Sequence, residues 1–584
     1  MSAPMKHGEV KYSELVCIGL GLSGICLGVQ LKRKWNFKDM HFYDRNETHS
    51  GTCDVPIFLY SYSFAQRAWS KLLPNSNEIR SYISEVVTDY NLEPHMTFQT
   101  ECEEAIWDKE RSLWVLHMRN IVSGNKFVHE CRILFSAVGQ LSQPRLPDIP
   151  GIETFEGESF HSARWKEEVS LDGKDIVVIG NGCTASQIVP EIVPKAKSVT
   201  QIVKSAHWLF DFQNAQFPPG LKRAFENFPA LGRIIRSTLF ITFEYQWLLF
   251  PMNKLGAGLR KRFENQSKAY IREVAPEKYQ DILVPDWAVG CKRRIYDPNR
   301  AYLKALHSDN LLLTKETILE IKPNGVLTDK RFYSADIIVY ATGFRTNKDL
   351  GQVRIKGENG LYLDEYWNQL GGPSAYNSLC VAGWENEPVP NFFMLYGPNS
   401  NTGHTSVIIT VENAIDGAFK LLAPLLKGEA TKVVVKKLAY EKWAISVQEA
   451  TRNCVFFSGG CNTVRSSPEF ILSNTKISSH SSGMFPDQVG MGRPIHGRKF
   501  TFGGDKDSLV GKIGNINILL ALSMMKLKSL PKDKKRSRFG SKFWTTATLL
   551  TIGGFAGRYY YYESDFDLVK YFTTTFKDLF HIVF

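Results

Sequence analysis

The chain has 584 residues, 43% hydrophobic and 22% charged, so it is long enough for roughly three domains with sizeable cores. Its ten cysteines include no C-x-x-C pair, which argues against a disulfide framework, a zinc ribbon or another metal site, and a dithiol centre. This cysteine usage fits a reducing compartment. The net charge of +12 is concentrated between Lys526 and Lys542, where eight basic residues face one acidic residue. We therefore expect no nucleic-acid interface on the main body.

The first predicted unit is a strand, a glycine turn and a helix near the start of the chain. A short apolar strand over 15–18 runs into a G-x-G-x-x-G motif formed by Gly19, Gly21 and Gly24. A second strand over 40–43 ends in Asp44, twenty residues after the last glycine, where an acid would hydrogen-bond a ribose hydroxyl. This βαβ unit predicts a site for an adenine dinucleotide.

A second unit of the same kind lies further along the chain. The apolar run 176–179 leads into G-x-G-x-x-A and a helical pattern, through Gly180, Asn181, Gly182, Cys183, Thr184, Ala185, Ser186 and Gln187. The glycines allow a tight turn that a pyrophosphate can approach, and the small third residue lets helix and strand pack closely. The next strand, 199–203, ends in Lys204 and Ser205 instead of an acid. Because a cation suits a 2′-phosphate, we predict NADPH here and FAD at the first unit.

The segment between the two units carries a resemblance to a known family. Phe155, Gly157, His161 and Trp165 are spaced as in the fingerprint of Baeyer–Villiger monooxygenases, within the flavin-containing monooxygenase superfamily. The tryptophan resembles this branch more than the amine- and sulfide-oxidising branch, and we expect His161 to be structural. Further matches extend over most of residues 10–460, at 53–56 with Tyr60, 146–151, 290–293, 341–344 and 397–399.

The resemblance implies an α/β fold with two Rossmann-like dinucleotide-binding domains, one for FAD and one for NADP, a helical insertion and a divergent C-terminal tail. The implied division is an FAD-binding domain over 10–150 and 331–463, an NADP-binding domain over 151–205 and 289–330, an insertion over 206–288, and a tail over 464–584. Within the insertion, the hydrophobic spacing predicts helices over 220–240 and 259–274.

The resemblance also implies the chemistry. A family member uses FAD and NADPH to insert one oxygen atom of O2 beside the carbonyl of an apolar ketone, and secondary metabolism is the expected setting. Arg293 would stabilise the negative charge of the reaction, and Asp54 would position this arginine. Lys292 would hold the 2′-phosphate together with Lys204. The remaining expected cofactor contacts are Thr52, Cys53, Asp54 and Tyr60.

The chain departs from the family pattern at one place. Ser50-Gly51-Thr52 runs directly into Cys53-Asp54, so the loop that lies along the flavin in the family is missing. A non-enzymatic remnant with an impaired flavin site is therefore an open alternative, beside an N- or S-oxygenating flavin monooxygenase. Trp165, Asp54 and Arg293 favour the Baeyer–Villiger interpretation over the latter.

The tail has two apolar runs, 516–525 and 543–556, on either side of the basic cluster. Both are shorter than the roughly 20 residues that span a bilayer. Basic residues beside an apolar helix are attracted to anionic headgroups, so membrane contact is an alternative to packing of both runs on the enzyme body. The polar segment 1–10 carries no signal peptide, and we expect a cytoplasmic catalytic body.

Overall fold

The computed structural model describes residues 7–48, 55–345, 350–369, 375–376, 389–398, 400, 403–435, 440, 443, 452–460 and 500–503. The predicted site residues Thr52, Cys53 and Asp54 lie outside these ranges. The same holds for the basic cluster of the tail and the two apolar runs beside it.

A five-stranded parallel sheet carries the first glycine motif. In spatial order its strands are Phe392–Met394, Ile133–Ser136, Leu15–Ile18, Met40–Tyr43 and Met96–Thr97. The strands are apolar along their length because both faces of a parallel sheet are covered. Two helices, Leu22–Trp35 and Val407–Leu426, pack together in this core, with the rings of Trp35 and Phe419 4.6 Å apart. The strands predicted over 15–18 and 40–43 are confirmed.

A second five-stranded parallel sheet carries the other glycine motif. Its strands are Leu311–Thr314, Ser198–Ile202, Asp175–Ile179, Ile337–Tyr340 and Glu158–His161. The motif turn leads into the helix Cys183–Ile192, as predicted. Two parallel sheets, each with a glycine turn at the carboxyl end of its central strand, confirm the α/β class and the two Rossmann-like units.

Other sheets were not predicted. A five-stranded sheet joins Val10–Tyr12, Lys126–Cys131, Leu113–Asn120, Thr100–Asp108 and Arg354–Lys356. A three-stranded sheet comprises Ile318–Lys322, Gly325–Thr328 and Phe332–Ser334, and a parallel pair joins Leu209–Phe212 to Ile295–Pro298. One strand of the predicted tail, Phe500–Gly503, pairs antiparallel with Lys432–Val435. The described part of the tail therefore adds a strand to the body.

Helices dominate the predicted insertion. The single helix predicted over 220–240 is two helices, Pro219–Asn227 and Pro229–Tyr245, separated by Phe228 with φ −130° and ψ 77°. A residue before proline is disfavoured in the α region, which explains the break. The helix predicted over 259–274 begins earlier, as Lys254–Val274, because the side chain of Asn253 accepts a hydrogen bond from the N–H of Gly256 at 2.7 Å.

The remaining helices are short, apart from Ser76–Asp89. They are Gln280–Leu283, Ala301–Ala305, Leu363–Gln369 and Val455–Ser458, with 3-10 turns at Glu93–His95, Ile152–Thr154, Ser162–Arg164, Gln246–Leu249 and Glu277–Tyr279. None of the helices in the described residues combines the length and the hydropathy that crossing a bilayer requires.

Candidate functional site

The first glycine turn closes against the neighbouring strand. Gly19 has a φ of +111°, and a Cβ there would lie 2.4 Å from the carbonyl oxygen of Ala137. A Cβ on Gly24 would lie 2.0 Å from the carbonyl oxygen of Gly19, so both positions require glycine. A Cβ on Gly21 would meet no described atom within 4 Å. The N-terminus of the helix Leu22–Trp35 is therefore open to an anionic group such as a pyrophosphate.

Asp44 holds this turn with its side chain. Its Oδ2 accepts a hydrogen bond from the N–H of Leu20 at 2.7 Å. Its Oδ1 accepts from the backbone N–H and the side-chain amide of Asn46, both at 2.8 Å. Because each carboxylate oxygen has two lone pairs, Oδ2 keeps acceptor capacity for a ribose hydroxyl. The structure thus places the acid beside the glycine turn, where the sequence predicted it.

The second glycine turn is built like the first. Gly180 has a φ of +124°, and a Cβ there would lie 2.4 Å from the carbonyl oxygen of Ala341. Gly182 caps the helix Cys183–Ile192, and a Cβ on it would meet no described atom within 4 Å. Ala185 is fully buried against the sheet. The turn therefore offers a helix N-terminus to a second dinucleotide.

The other predicted residues of this turn divide by exposure. Asn181 is buried and Cys183 is half-buried, whereas Thr184 and Gln187 are exposed. The hydroxyl of Ser186 donates to the carbonyl oxygen of Cys183 at 2.9 Å. Ser186 therefore serves the helix itself in this structure.

Two lysines, Lys204 and Lys292, lie near the end of the strand Ser198–Ile202. The Nζ of Lys292 donates to the Oγ of Ser205 at 3.1 Å and lies 5.2 Å from the ring centre of Trp287. Burial lowers the pKa of Lys292, and the charge of Lys204 lowers it further, against the opposing effect of Asp286. The two cations near this strand end, Lys204 and Lys292, favour a dianionic ligand, and a 2′-phosphate has that charge.

Arg293 is exposed in the loop that follows Gly290, whose φ is +96°. The ring of His207 hydrogen-bonds to the backbone of Arg293, and burial lowers the pKa of His207 to about 4. His207 is therefore neutral near pH 7, and no sequence pattern indicated that it supports this loop. Pairing of Arg293 with Asp54 stays a prediction, since the acid lies outside the described residues.

A disulfide-bonded cysteine directly precedes Lys292 and Arg293. Cys291 is disulfide-bonded, while Cys17, Cys26, Cys102, Cys131 and Cys454 are free. Its partner therefore lies outside the described residues. The scattered cysteines had argued against a disulfide framework, and nothing in their spacing indicated this single bond.

His161 is the last residue of the strand Glu158–His161, in the segment between the two glycine units. Its Nε2 lies 2.9 Å from the carbonyl oxygen of Gly343, and its Nδ1 accepts from the N–H of Ala163 at 3.0 Å. Since Nδ1 accepts, the proton is on Nε2, and both ring nitrogens are engaged by backbone. This agrees with the expectation that His161 is structural. The ring of Trp165 packs edge-on against Phe160 at 5.0 Å.

Tyr60 lies half-buried against the core of the first unit. The segment around it is held from the insertion, because Nη1 of Arg236 donates to the carbonyl oxygens of Phe58 at 2.8 Å and Ser61 at 2.5 Å. No sequence pattern indicated this role of Arg236, since a lone arginine in a helical pattern gives no sign of such contacts.

Comparison with known proteins adds a family context to this geometry. A family model described as flavin-binding monooxygenase-like matches residues 55–222. An FAD-binding monooxygenase of Aspergillus niger is 34% identical over 417 residues, which cover 68% of this chain and 67% of the relative. A Baeyer–Villiger monooxygenase of Pseudomonas aeruginosa is 28% identical over 476 residues, which cover 79% of this chain and 87% of the relative.

Two solved structures have a similar fold. OTEMO, solved in complex with FAD and NADP, matches with a TM-score of 0.72 and 22% identity, over 84% of this chain and 99% of its own. Cyclohexanone monooxygenase from Rhodococcus sp. Phi1, bound to NADP+, matches with a TM-score of 0.72 and 21% identity, over 85% of this chain and 100% of its own. These likenesses confirm the predicted fold class.

Proposed function

We propose that this chain, which belongs to the flavin-binding monooxygenase family as a Baeyer–Villiger-type enzyme dependent on FAD and NADPH, converts an apolar ketone into an ester or lactone. In this reaction one atom of O2 enters the bond beside the carbonyl and the other leaves as water. NADPH supplies the two electrons and a solvent proton completes the balance. The observation that carries the proposal is the loop 290–293. In this loop Lys292 hydrogen-bonds Ser205 beyond the end of the strand Ser198–Ile202, and the neighbouring Arg293 is exposed.

The two glycine turns would hold the two cofactors. FAD would bind across Gly19, Gly21, Gly24 and Asp44, with Tyr60 and the segment 52–54 as further contacts. NADPH would bind across the second turn, 180–187, with its 2′-phosphate between Lys204, Ser205 and Lys292. This assignment rests on the acid at the first strand end and the two cations at the second.

Bound FAD would supply the oxygen activation, with NADPH as the source of electrons. The task of this chain is to stabilise the negative charge that develops when oxygen attacks the carbonyl. The guanidinium of Arg293 keeps its charge at any relevant pH. A fixed cation beside the developing charge lowers the barrier by roughly 3–4 kcal/mol, by analogy with single oxyanion-hole donors. Asp54 would hold that guanidinium in place.

A buried apolar cluster supports the loop 290–293. Cys291 and Val289 belong to a buried cluster with aromatic side chains of the insertion, among them Trp208, Phe250 and Trp287. The cluster fixes the position of the loop, and the apolar ketone itself is proposed from the resemblance to Baeyer–Villiger monooxygenases. We place the reaction in secondary metabolism, in line with the fungal relative.

Product analysis tests the proposal against its alternatives. The flavin-loaded enzyme is given NADPH and 18O2 with a cyclic ketone and, separately, a thioether of similar size. We expect a lactone carrying one labelled oxygen, identified by mass and NMR. A labelled sulfoxide without lactone would assign the chain to the N- or S-oxygenating class. Colourless protein that gains no flavin absorbance with added FAD would identify a remnant.

The position of the tail, on the enzyme body or on a membrane, is a separate question that fractionation tests. Antiparallel pairing of Phe500–Gly503 with Lys432–Val435 ties one stretch of the tail to the body. We therefore propose that the tail packs on the enzyme and that full-length protein stays in the supernatant. Full-length protein that pellets with membranes through high salt, while a chain ending at residue 503 does not, would establish membrane contact instead.

A further inference from the structure

A buried glutamine holds the second glycine turn. The side chain of Gln201 is fully buried, and its Nε2 donates to the carbonyl oxygen of Gly180 at 3.0 Å. Its Oε1 accepts a hydrogen bond from the hydroxyl of Tyr302, also at 3.0 Å. Tyr302 is itself buried, so both amide atoms are bound away from water.

The same tyrosine leads to a buried carboxylate. Asp297 is 1% exposed, and its Oδ1 accepts from the backbone N–H of Tyr302 at 2.8 Å. Its Oδ2 accepts from the N–H of Leu303 at 3.1 Å and from the hydroxyl of Tyr270 at 2.8 Å. Burial raises the pKa of Asp297, and these hydrogen bonds oppose that effect. A buried carboxylate costs stability unless it is satisfied in this way.

This network joins two parts of the proposed coenzyme site. Asp297 lies in the strand Ile295–Pro298, which begins two residues after Arg293. The network therefore runs from the glycine turn, through Gln201 and Tyr302, to the strand that follows the loop of Lys292 and Arg293. A displacement of either end of the network is expected to shift the other end, because the intervening side chains are buried and hydrogen-bonded to one another.

We propose that Gln201 and Tyr302 are positioning residues for the nicotinamide coenzyme. The inference rests on the proposed NADPH site. A peptide group is planar, so fixing the carbonyl of Gly180 turns the N–H of Asn181 in the opposite direction. The turn is thus held in one orientation before the coenzyme arrives, which lowers the entropy that binding must give up. The pyrophosphate is common to NADPH and NADH, so this orientation serves both.

Replacement of the side-chain amide of Gln201 distinguishes orientation of the glycine turn from recognition of the 2′-phosphate, because only the first affects both coenzymes. Gln201→Met keeps the length and burial of the side chain but removes both of its hydrogen bonds. We expect the dissociation constants of NADP+ and NAD+, measured by calorimetry on the FAD-loaded enzyme, to rise by the same factor, about tenfold. The KM values for both coenzymes should follow, with kcat and FAD content unchanged. Tyr302→Phe should act in the same direction but more weakly.

A double variant and a matched control complete the test. Because the two residues form one network, Gln201→Met with Tyr302→Phe should bind coenzyme no more weakly than Gln201→Met alone. Tyr279 is buried in the same hydrophobic core as Tyr302, and its hydroxyl donates to the carbonyl oxygen of Leu311 at 3.3 Å. Tyr279→Phe should leave both dissociation constants at wild-type values.

Several outcomes would overturn the inference. The first is unchanged coenzyme affinity in the Gln201 and Tyr302 variants. The second is a loss of coenzyme affinity in Tyr279→Phe as large as that in these variants. The third is a loss of affinity for NADP+ without a loss for NAD+. If Gln201→Met does not fold, Tyr302→Phe still tests the inference, because it removes a single hydroxyl and keeps the ring in the core. A wild-type enzyme that oxidises no NADPH would refute the proposed function. Active wild type with unaffected variants would refute only the role of this network.

Discussion

Arg236 and Glu412 form a largely buried ion pair, with Nη2 and Oε2 3.3 Å apart, between the insertion helix Pro229–Tyr245 and the helix Val407–Leu426. Burial raises the pKa of Glu412 and lowers that of Arg236, while each charge opposes the shift of the other. Oε1 of Glu412 accepts from the N–H of Ser63 at 2.7 Å. Since the arginine also binds the carbonyl of Phe58, the pair clamps the segment that contains Tyr60.

Loss of this clamp should weaken FAD binding. Arg236→Met frees the segment around Tyr60 and leaves Glu412 buried without its cation, a change that costs roughly 3–5 kcal/mol of stability. We expect purified Arg236→Met to contain much less FAD per protein than the wild type. We also expect a dissociation constant for added FAD at least tenfold higher, measured by flavin fluorescence.

Arg260 provides the matched control for this prediction. It is buried in the same insertion, but its Nη1 donates to the carbonyl oxygens of Leu249 at 2.9 Å and Pro251 at 2.7 Å, both within the insertion. Arg260→Met should lose stability yet keep its FAD. Equal loss of FAD in both variants would mean that general destabilisation, and not the clamp, is responsible.

Local patterns made both glycine units predictable. The turns at Gly19 and Gly180 need a positive φ and a close approach to a strand carbonyl, requirements that only glycine meets and that therefore show in the sequence. Arg236 and Gln201 were not predictable, because their roles depend on contacts made in three dimensions. Arg236 and Phe58 are 178 residues apart. The domain boundaries and the pairing of Arg293 with Asp54 remain predictions.

Recognition of the 2′-phosphate should depend on Lys204. Lys204→Ala removes one of the two cations at the strand end, so we expect the KM for NADPH to rise at least tenfold while that for NADH changes little. Lys197 stands at the other end of the same strand, where its Nζ lies 2.9 Å from Oδ2 of Asp175. Lys197→Ala should leave both KM values unchanged. Equal losses with both coenzymes in Lys204→Ala would contradict the assignment.

Oxygen insertion should depend on Arg293. Arg293→Ala is expected to retain FAD and to oxidise NADPH, but to release hydrogen peroxide instead of making ester, because the developing negative charge loses its cation. Ester formation should fall by about a hundredfold or more. Stopped-flow absorbance and a peroxide assay separate these steps. Asp54→Ala should impair the same step less severely. Ester formation at the wild-type rate in Arg293→Ala would exclude the proposed role.

Acid should destabilise the first unit through a buried histidine. His129 is 1% exposed, with its Nδ1 2.7 Å from the hydroxyl of Tyr43 and its Nε2 3.1 Å from Oγ of Ser13. Burial lowers its pKa to about 4, and burial also lowers the pKa of the neighbouring His41 to about 3. In the unfolded chain a histidine has a pKa near 6.5. The folded state therefore holds both rings neutral over a range where the unfolded state takes up protons.

The sign of the pH dependence follows from these pKa values. The stabilisation from neutral His129 is fully present above about pH 6.5 and is lost as the pH falls towards 4, since only the unfolded chain then gains the proton. At pH 5 His129 alone should cost about 2 kcal/mol of unfolding free energy relative to pH 7.5. His129→Gln cannot titrate, so urea unfolding of this variant should vary less between these pH values. Equal pH dependence in variant and wild type would mean that other groups govern the acid sensitivity.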